Sequence, residues 1–406
     1  MGFDRVVDTR EPRDLLVSMT QMRKVASQLT VLGISAPGAD AAAEFHFDGE
    51  PTQSVSVTAD LPLAQDGTPW LAPATVIAMK VGATLNLPAV DATALENANG
   101  AQAVLASWFD DLQPVQVQAT ATAPIPGGAG VGCFFSCGVD SFFSALSHRD
   151  EITHLIFVRG FDIAVTDEDL GERAAAAARS AAAAMGKQFV EVRTNIREVS
   201  DPHVSWGLQF HGAALAMVGL ALAPHLSRVI IPASDFQDDL IPWGSHPALD
   251  LLWSSGAVTL VHDGTETTRA DKVATIARHQ VALDHLRVCW KNPGGAYNCG
   301  RCEKCLRTMI GLRAVGALGS CPTFPDSLDL RAVRRMRLGY GVRAYAEENL
   351  RALQASGRDD QELERALRTA IRIGRVLSPP ARLTRNLAGR LNRFVSRVRQ
   401  RESLEG

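Results

Sequence analysis

The sequence predicts an α/β protein built on a doubly wound, mainly parallel sheet. After residue 130, apolar runs of strand length alternate with helical apolar spacings. A turn of small and hydroxylic residues, 136–141, joins the first of these strands to a helix. Such alternation is typical of folds in which ligands bind at the carboxyl ends of strands, near the point where the strand order reverses.

Length and composition are those of an ordinary globular protein. The chain has 406 residues, of which 46% are hydrophobic and 21% charged, and a net charge of −3. No apolar run approaches the roughly 20 residues that span a bilayer, and the N-terminus has no apolar signal core. Four of the seven cysteines are clustered, which indicates metal binding in a reducing compartment. We therefore expect a cytoplasmic protein that makes no membrane contact.

Residues 1–123 carry no recognised motif and are predicted to form a small N-terminal α+β domain. Alternating patterns predict strands at 45–47, 55–57 and 115–119, and a helix is predicted over 92–109. His46 has no partner at ligand spacing, so we interpret it as a strand-face residue rather than a metal ligand. Residues 124–130, rich in Pro and Gly, are predicted to form a linker.

The domain predicted over 131–325 holds the parallel sheet. Its strands are predicted at 131–135, 154–159, 188–192, 228–233 and 257–261, and its helices from Phe142, over 170–185 and over 206–222. Three strand ends matter most, because they meet at one edge of such a sheet. They are Ser136, Arg159 with Gly160, and Ser234 with Asp235.

The turn 136–141, with the sequence Ser-Cys-Gly-Val-Asp-Ser, is predicted to cradle phosphate. Small residues let backbone N–H groups approach an anion, and the helix that follows directs its positive end at the same point. Asp140 and Ser141 can cap or brace the start of that helix. The turn is not a Walker loop, because no Gly-Lys-Ser/Thr follows at the required spacing.

This turn resembles the Ser-Gly-Gly-x-Asp-Ser signature of the PP-loop ATP pyrophosphatases, enzymes that split ATP into AMP and pyrophosphate. Cys137 stands where that family usually has its first Gly. A side chain at this point restricts positive φ. Cys137 is either a plain small-residue replacement or a thiol that takes part in the chemistry, and the sequence leaves both readings open.

Two further segments supply candidate polar groups. The long loop 235–250 contains carboxylates, Trp and His, which could hold Mg²⁺ and a flat substrate; the alternative is a solvated loop whose Trp packs on the domain. A helix is predicted to begin at Thr268, and its Lys272 either neutralises phosphate charge or is an exposed surface lysine.

Four cysteines follow the pattern C-x9-C-x2-C-x2-C and predict a tetrahedral Zn²⁺ site without His. These are Cys289, Cys299, Cys302 and Cys305. Four thiolates leave no open position, so the site is predicted to be structural and to tether the helix 303–315, which carries Arg307. A redox-active dithiol is the alternative.

The same four-Cys pattern, followed by Arg, resembles the zinc site of the 7-cyano-7-deazaguanine synthase (QueC) family, a PP-loop branch. The resemblance covers roughly residues 131–316. It implies that ATP activates a carboxylate of a 7-deazaguanine as an acyl-adenylate, which ammonia attacks to give an amide and then, after dehydration, a nitrile. The N-terminal addition, the loop after the fourth strand and Cys137 depart from an ordinary synthase. QueC-like proteins of this larger build also occur in antiviral defence gene clusters, which is one implied setting.

The resemblance also implies roles for the residues at the strand ends. Backbone and hydroxyl groups of the turn would bind ATP, and Asp140 would fix the loop or bind Mg²⁺ through water. Val158 and Arg159 would lie near adenine. The acceptor carboxylate would sit between the turn, Asp235 and Lys272. The nucleotide-binding set is Ser136, Cys137, Gly138, Val139, Asp140, Ser141, Val158 and Arg159, and the catalytic set is Asp140, Ser141, Lys272 and Asp235.

The C-terminal region, 326–406, is predicted to be a basic helical extension. Residues 331–401 contain eighteen Arg and no Lys, against eight Asp or Glu in 331–406, so the segment is near +10. Apolar residues predict two amphipathic helices, the first through Leu363, Leu367, Ile371 and 373–376 and the second over 383–395. The extension either binds nucleic acid or an acidic partner or packs on the rest of the chain.

Three functions therefore remain open. The first is a QueC-like ligase acting on a deazapurine-like acid, with ammonia or an acceptor protein as the nucleophile. The second is a PP-loop sulfurtransferase or amide synthetase acting on another acid, which a reactive Cys would favour. The third is a nucleotide-sensing or partner-binding subunit without turnover.

Overall fold

The computed structural model describes residues 27–35 and 37–377, and the second predicted basic helix, 383–395, lies outside these residues. The described chain forms two compact units. The larger unit contains residues 27–299 and 320–323, and the helical unit contains 300–319 and 324–377. None of the described helices is long and apolar enough to cross a membrane.

The larger unit is built on a ten-stranded, mostly parallel sheet, which confirms the predicted α/β class. The strands are β1 Gln28–Ser35, β2 Asp40–Phe47, β3 Gln53–Ala59, β4 Thr84–Asn86, β5 Val90–Asp91, β6 Val117–Gln118, β7 Ala121–Thr122, β8 Gly130–Phe134, β9 His154–Arg159, β10 Gln188–Thr194, β11 Leu226–Pro232 and β12 Thr259–Asp263. The sheet order is β12-β11-β8-β9-β10-β3-β2-β1-β4-β6, and β5 pairs with β7 separately.

Thirteen α-helices are described. They are α1 Thr68–Val81, α2 Ala92–Trp108, α3 Val139–Ser147, α4 Glu168–Ala184, α5 Ile196–Ser200, α6 His211–Ala221, α7 Pro247–Asp250, α8 Arg269–Ile276, α9 Gln280–His285, α10 Glu303–Ala314, α11 Leu330–Arg334, α12 Tyr340–Ala355 and α13 Gln361–Leu377. Gly186, at a φ of 68°, follows α4 as predicted. The predicted helix 206–222 begins with a π-helical turn, Trp206–Phe210, before α6.

The five strands from β8 to β12 are parallel neighbours, and the predicted strands of this region match them within two residues at each end. In the sheet, β9 and β10 follow β8 on one side, whereas β11 and β12 lie on its other side. The strand order therefore reverses between β8 and β11. The carboxyl ends of β8 and β11 therefore flank the topological switch point, where α/β sheets bind their ligands. The predicted phosphate turn follows β8 directly.

The N-terminal strands continue the same sheet. β3 pairs antiparallel with β10, with Thr194 opposite Val57. The predicted linker ends in β8, and its backbone approaches another segment closely. A Cβ built on Gly128 would lie 2.1 Å from the carbonyl carbon of His225, so only glycine fits there. The predicted boundary at 124–130 thus lies between strands of one sheet.

The sequence patterns did not predict one helix of the core, α1. α1 is buried along nearly its whole length, and Trp70 and Ile77 are fully buried in the hydrophobic core. A helix that is apolar on all sides shows no helical period, because periodicity arises only where one face meets water.

The helical unit contains α10 to α13. The predicted apolar face of α13 is present only in its first part: Leu363 and Leu367 are fully buried and Ile371 is 6% exposed. Ile373 and Val376, predicted on the same face, are 41% and 76% exposed, because they turn to solvent near the end of the helix. Arg313 on α10 pairs with Asp360 just before α13, at 2.6 Å. The Arg307 guanidinium lies 4.1 Å from the centre of the Tyr345 ring. Basic side chains of this unit thus make contacts within it.

Candidate functional site

The turn between β8 and α3 presents an uncapped helix start. Gly138 is the N-cap of α3, and no side chain of the described chain caps the first N–H groups. Ser136 is exposed beside it. Ser141 is directed back into the turn, where its hydroxyl donates to the Gly138 carbonyl at 3.1 Å. The helix N-terminus can therefore accept an anion, as the sequence analysis predicts.

Cys137 adopts the left-handed conformation that the turn requires, with a φ of 59°. Its side chain is 1% exposed. Burial raises the pKa of the thiol to about 12, although Arg287 and the Tyr297 hydroxyl nearby act in the opposite direction. A thiol is nucleophilic only as thiolate, so this environment favours the small-residue interpretation of Cys137 over the chemical one.

A distant segment holds the turn in place. The backbone N–H of Arg287 donates to the Cys137 carbonyl at 2.8 Å. The Arg287 side chain is only 5% exposed. Sequence reasoning missed this residue, because 150 positions separate it from Cys137 and no local pattern relates the two.

Two buried cations meet the first turn of α3. Arg269 Nη1 lies 2.6 Å from Asp140 Oδ2, and Lys272 Nζ lies 3.7 Å from Asp140 Oδ1. Lys272 is 1% exposed, so it is not the surface lysine of the alternative interpretation. Lys272 Nζ also donates to the Ala233 carbonyl at 2.8 Å, just after β11. The pair thus lies at the switch point, beside the turn.

Arg269 was not predicted, although a signal was present. The Thr268 hydroxyl caps α8 by accepting from the Asp271 N–H at 3.2 Å. This cap sets the start of the helix and places Arg269 three residues before Lys272, on the same face. These contacts of Asp140 favour its predicted role as a brace of the loop. A carboxylate already paired with two cations is poorly suited to bind Mg²⁺ as well.

The loop after β11 folds around a buried carboxylate. Asp250 is fully buried and accepts from the Ser245 hydroxyl at 2.8 Å and from the His246 N–H at 3.3 Å. Asp235 is half-buried at the start of this loop. Burial and His262 lower the pKa of His246, and the charges of Asp250 and Asp235 only partly oppose this. Asp235 is therefore close enough to His246 to act on its charge, at the sheet edge where it was predicted.

The end of β9 is occupied by an ion-pair network. The Arg159 side chain is fully buried, and its guanidinium lies 2.6 Å from Glu168 and 3.3 Å from Glu191. Val158 is half-buried beside it. The guanidinium is committed to these carboxylates, and adenine binding at this strand end stays a prediction.

The four clustered cysteines come together as their spacing predicts. The sulfur atoms of Cys289, Cys299, Cys302 and Cys305 all lie within 4.8 Å of one another. All seven cysteines of the chain are described, and none is in a disulfide. Cys302 is the N-cap of α10 and Cys305 lies on its first turn. The Asn292 N–H donates to Cys289 Sγ at 3.3 Å, as expected for a thiolate ligand. This cluster could hold a metal ion such as zinc.

No family model, no curated protein and no solved structure matches this chain.

Proposed function

We propose that the chain is a PP-loop enzyme that uses ATP to adenylate a carboxylate, with release of pyrophosphate. One observation carries the proposal: the uncapped N-terminus of α3 lies beside Arg269 and Lys272 at the switch point of the sheet. Backbone N–H groups, a helix dipole and two cations at one place suit a polyphosphate. The same groups would stabilise negative charge that develops on the leaving pyrophosphate.

Each residue of the turn then has a defined task. The N–H groups of residues 137–141 would bind phosphate oxygens, with the exposed Ser136 hydroxyl assisting. Asp140 would hold Arg269 and Lys272 at the turn through the contacts described above. The observed contacts of Asp140 do not suit a magnesium ligand, so we derive no step through Mg²⁺, whose place in the reaction stays a prediction.

The proposed acid is a 7-carboxy-7-deazaguanine-type compound, on the strength of the resemblance to the QueC family. Its carboxylate would lie between the turn, Asp235 and Lys272. The acyl-adenylate would pass to an amine, giving an amide or nitrile. The sulfurtransferase alternative is weaker, because the buried Cys137 thiol stays protonated at neutral pH.

The proposed metal is one structural Zn²⁺. Four cysteine sulfurs suit its tetrahedral preference and leave no position for water, so the ion would supply folding energy and no chemistry. Cys289 lies two residues from Arg287, whose N–H holds the phosphate turn. A metal bound by Cys289 would thereby fix the position of Arg287 relative to the phosphate turn.

The test measures pyrophosphate release from ATP with and without 7-carboxy-7-deazaguanine. Acid-dependent release is expected from the wild type. Asp140→Asn should lower it by about 10²-fold or more, because the two cations lose their brace. Asp167→Asn is the matched control, since Asp167 caps α4 by accepting from Leu170 at 3.3 Å and an Asn cap is equivalent.

The outcomes separate the three functions. Full release in a folded Asp140→Asn variant would contradict the phosphate-cradle assignment. Release that needs a sulfur donor in place of the deazaguanine acid would favour the sulfurtransferase. ATP binding without any release would favour a sensing subunit.

A further inference from the structure

The helical unit is the basic part of a chain whose net charge is −3. Its residues 300–319 and 324–377 contain fifteen Lys and Arg against nine Asp and Glu, which gives them a net charge of +6. Four of these arginines lie within seven residues, on α11 and directly after it. They are Arg331, Arg334, Arg335 and Arg337, and we call them the arginine cluster.

Apolar side chains anchor the segment that carries the arginine cluster. Val333 is fully buried, Met336 is 8% exposed and Leu338 is 3% exposed, whereas all four arginines are exposed. Leu338 packs on α13, since a Cβ built on Gly374 would lie 2.9 Å from the Leu338 Cβ. The backbone is therefore held against the unit, and the charged side chains face solvent.

Three members of the cluster lie along one face of α11. Arg331, Arg334 and the C-cap residue Arg335 have the spacing i, i+3, i+4, which places Cβ atoms about 5–6 Å apart on a helix. Like charges at this spacing repel one another. The row is therefore stabilised when an anion with a matching line of charge binds to it.

The carboxylates of the unit do not neutralise the cluster. In the part of the chain that the structure describes, none of its four guanidinium groups is in an ion pair or a hydrogen bond. Asp329, just before α11, accepts instead from the backbone N–H groups of Arg331 and Ala332, at 2.8 and 3.2 Å. The ion-paired arginines of the unit lie on other helices and are Arg307, Arg313, Arg343, Arg368 and Arg375.

The chemistry of the cluster suits phosphate. Residues 331–377 contain eleven Arg and no Lys. A guanidinium is always charged and donates two parallel hydrogen bonds to one phosphate, which an ammonium cannot do. Each strand of a nucleic acid duplex carries one negative charge per about 3.4 Å of axis, in a regular line. A flexible acidic peptide would first have to order its carboxylate side chains, at a cost in conformational entropy.

The side chains between the arginines do not support two other modes of binding. Segment 331–337 exposes no large apolar side chain and contains no aromatic residue. A helix that lies in a membrane surface inserts apolar side chains, and proteins that bind single strands stack bases on aromatic ones. The cluster offers only charge, which favours contact with the backbone of a duplex.

We propose that the arginine cluster binds the phosphate backbone of a nucleic acid duplex without regard to base sequence. The contact neutralises the row of guanidinium groups and releases counterions from the duplex, so affinity falls steeply as salt rises. This inference is independent of the proposed ATP chemistry, because that chemistry uses none of the four arginines.

The experiment measures the fluorescence anisotropy of two labelled DNA duplexes of unrelated sequence, at salt concentrations from about 50 to 200 mM. Full-length protein is used throughout, so residues 378–406 are present in every variant. Arg334→Gln with Arg335→Gln removes two charges and keeps helix propensity. Arg334→Lys with Arg335→Lys keeps both charges. Phosphatidylserine vesicles and polyglutamate replace the DNA in two further series.

Arg149→Gln with Arg278→Gln is the matched control, because both arginines are exposed, lie in the larger unit and are in no ion pair within the described residues. The wild type should bind both duplexes equally well. In the double Gln variant of the cluster, the slope of log affinity against log salt should fall in magnitude by about 1.8, since each phosphate contact contributes about 0.9. The control and the double Lys variant should keep the wild-type slope.

Several results would overturn the assignment of the arginine cluster. One is wild-type protein that binds neither duplex at about 50 mM salt. Another is the wild-type slope in the folded double Gln variant, or an equal loss of slope in the control or in the double Lys variant. Binding confined to vesicles or to polyglutamate would assign the cluster to a membrane or to an acidic protein instead. A strong preference for one duplex would contradict binding through the backbone alone.

Discussion

Replacement of Cys137 by Gly and by Ala tests whether the phosphate turn is strained. Both variants remove the buried thiol, so their difference isolates the backbone and one methyl group. At an ordinary position, Gly is the less stable of the two. At a φ of 59° the difference in stability between the two variants should be smaller, because only the variant with a Cβ is strained there.

The expected magnitude follows from three contributions. A left-handed residue with a side chain costs about 1–2 kcal/mol. Glycine loses about 0.5–1 kcal/mol through the entropy of the unfolded chain. The missing buried methyl costs about 0.8 kcal/mol more. The free energies of unfolding of Cys137→Gly and Cys137→Ala should therefore differ by less than about 1 kcal/mol.

Ala145→Gly is the matched control, because Ala145 is 2% exposed on α3 and has no positive φ. Without relief of strain, this change should cost about 1.5–2 kcal/mol. Urea denaturation of the four proteins, including the wild type, gives the comparison. If Cys137→Gly falls below Cys137→Ala by as much as Ala145→Gly falls below the wild type, the turn is not strained and the argument fails.

The same pair of variants tests the chemistry of the thiol. Because burial raises its pKa to about 12, the thiol should be dispensable, and both variants should keep most of the pyrophosphate release. A single round of AMP formation followed by arrest in both variants would instead assign Cys137 a covalent role. Intact-protein mass spectrometry of the wild type during turnover would then show the adduct.

Two further predictions concern the metal cluster and one histidine. Cys302→Ser removes one of four ligands, so the zinc content should fall below the wild-type value of about one Zn²⁺ per chain, and Tm should drop by about 5 °C or more. A stable, metal-free wild type with all four thiols titratable would contradict this. For His148, burial lowers the pKa, but the hydrogen bond and charge of Asp263, with Glu151, outweigh it, so the pKa lies above its usual value of 6.5. The stabilisation of the folded state by protonated His148 is complete below the unfolded-state pKa of the residue and is lost as pH rises through its folded-state pKa. The stability of wild type relative to His148→Gln should therefore be greatest below about pH 6 and shrink by about pH 8, and a difference that grows with pH would reverse the assignment.

Local patterns in the sequence were enough to predict the parallel half of the sheet. Strands β8 to β12 are short apolar runs bounded by turn residues, and each run by itself predicts a buried strand. The predictions of the phosphate turn and of the four-cysteine cluster are equally local, because each rests on residues a few positions apart. The left-handed position at Cys137 was also foreseeable, since the resembling family has Gly there.

Local sequence patterns could not predict the contacts between elements that are distant in the chain. The antiparallel pairing of Thr194 with Val57 joins the N-terminal strands to the sheet, and no single segment encodes that pairing. The helix α1 is apolar on every side, so its period is hidden by complete burial.

The site shows the same division. The sequence alone predicted the strand-to-helix turn 136–141 and the cluster of four cysteines, because each is a pattern within one short segment of the chain. Only the tertiary structure decided that Arg269 and Lys272 meet Asp140, and that Asp250 holds His262 at the same edge of the sheet. These contacts depend on the order of the strands and on which face each side chain takes. Strand order is settled by packing of the whole sheet, and periodicity within one segment carries no record of it.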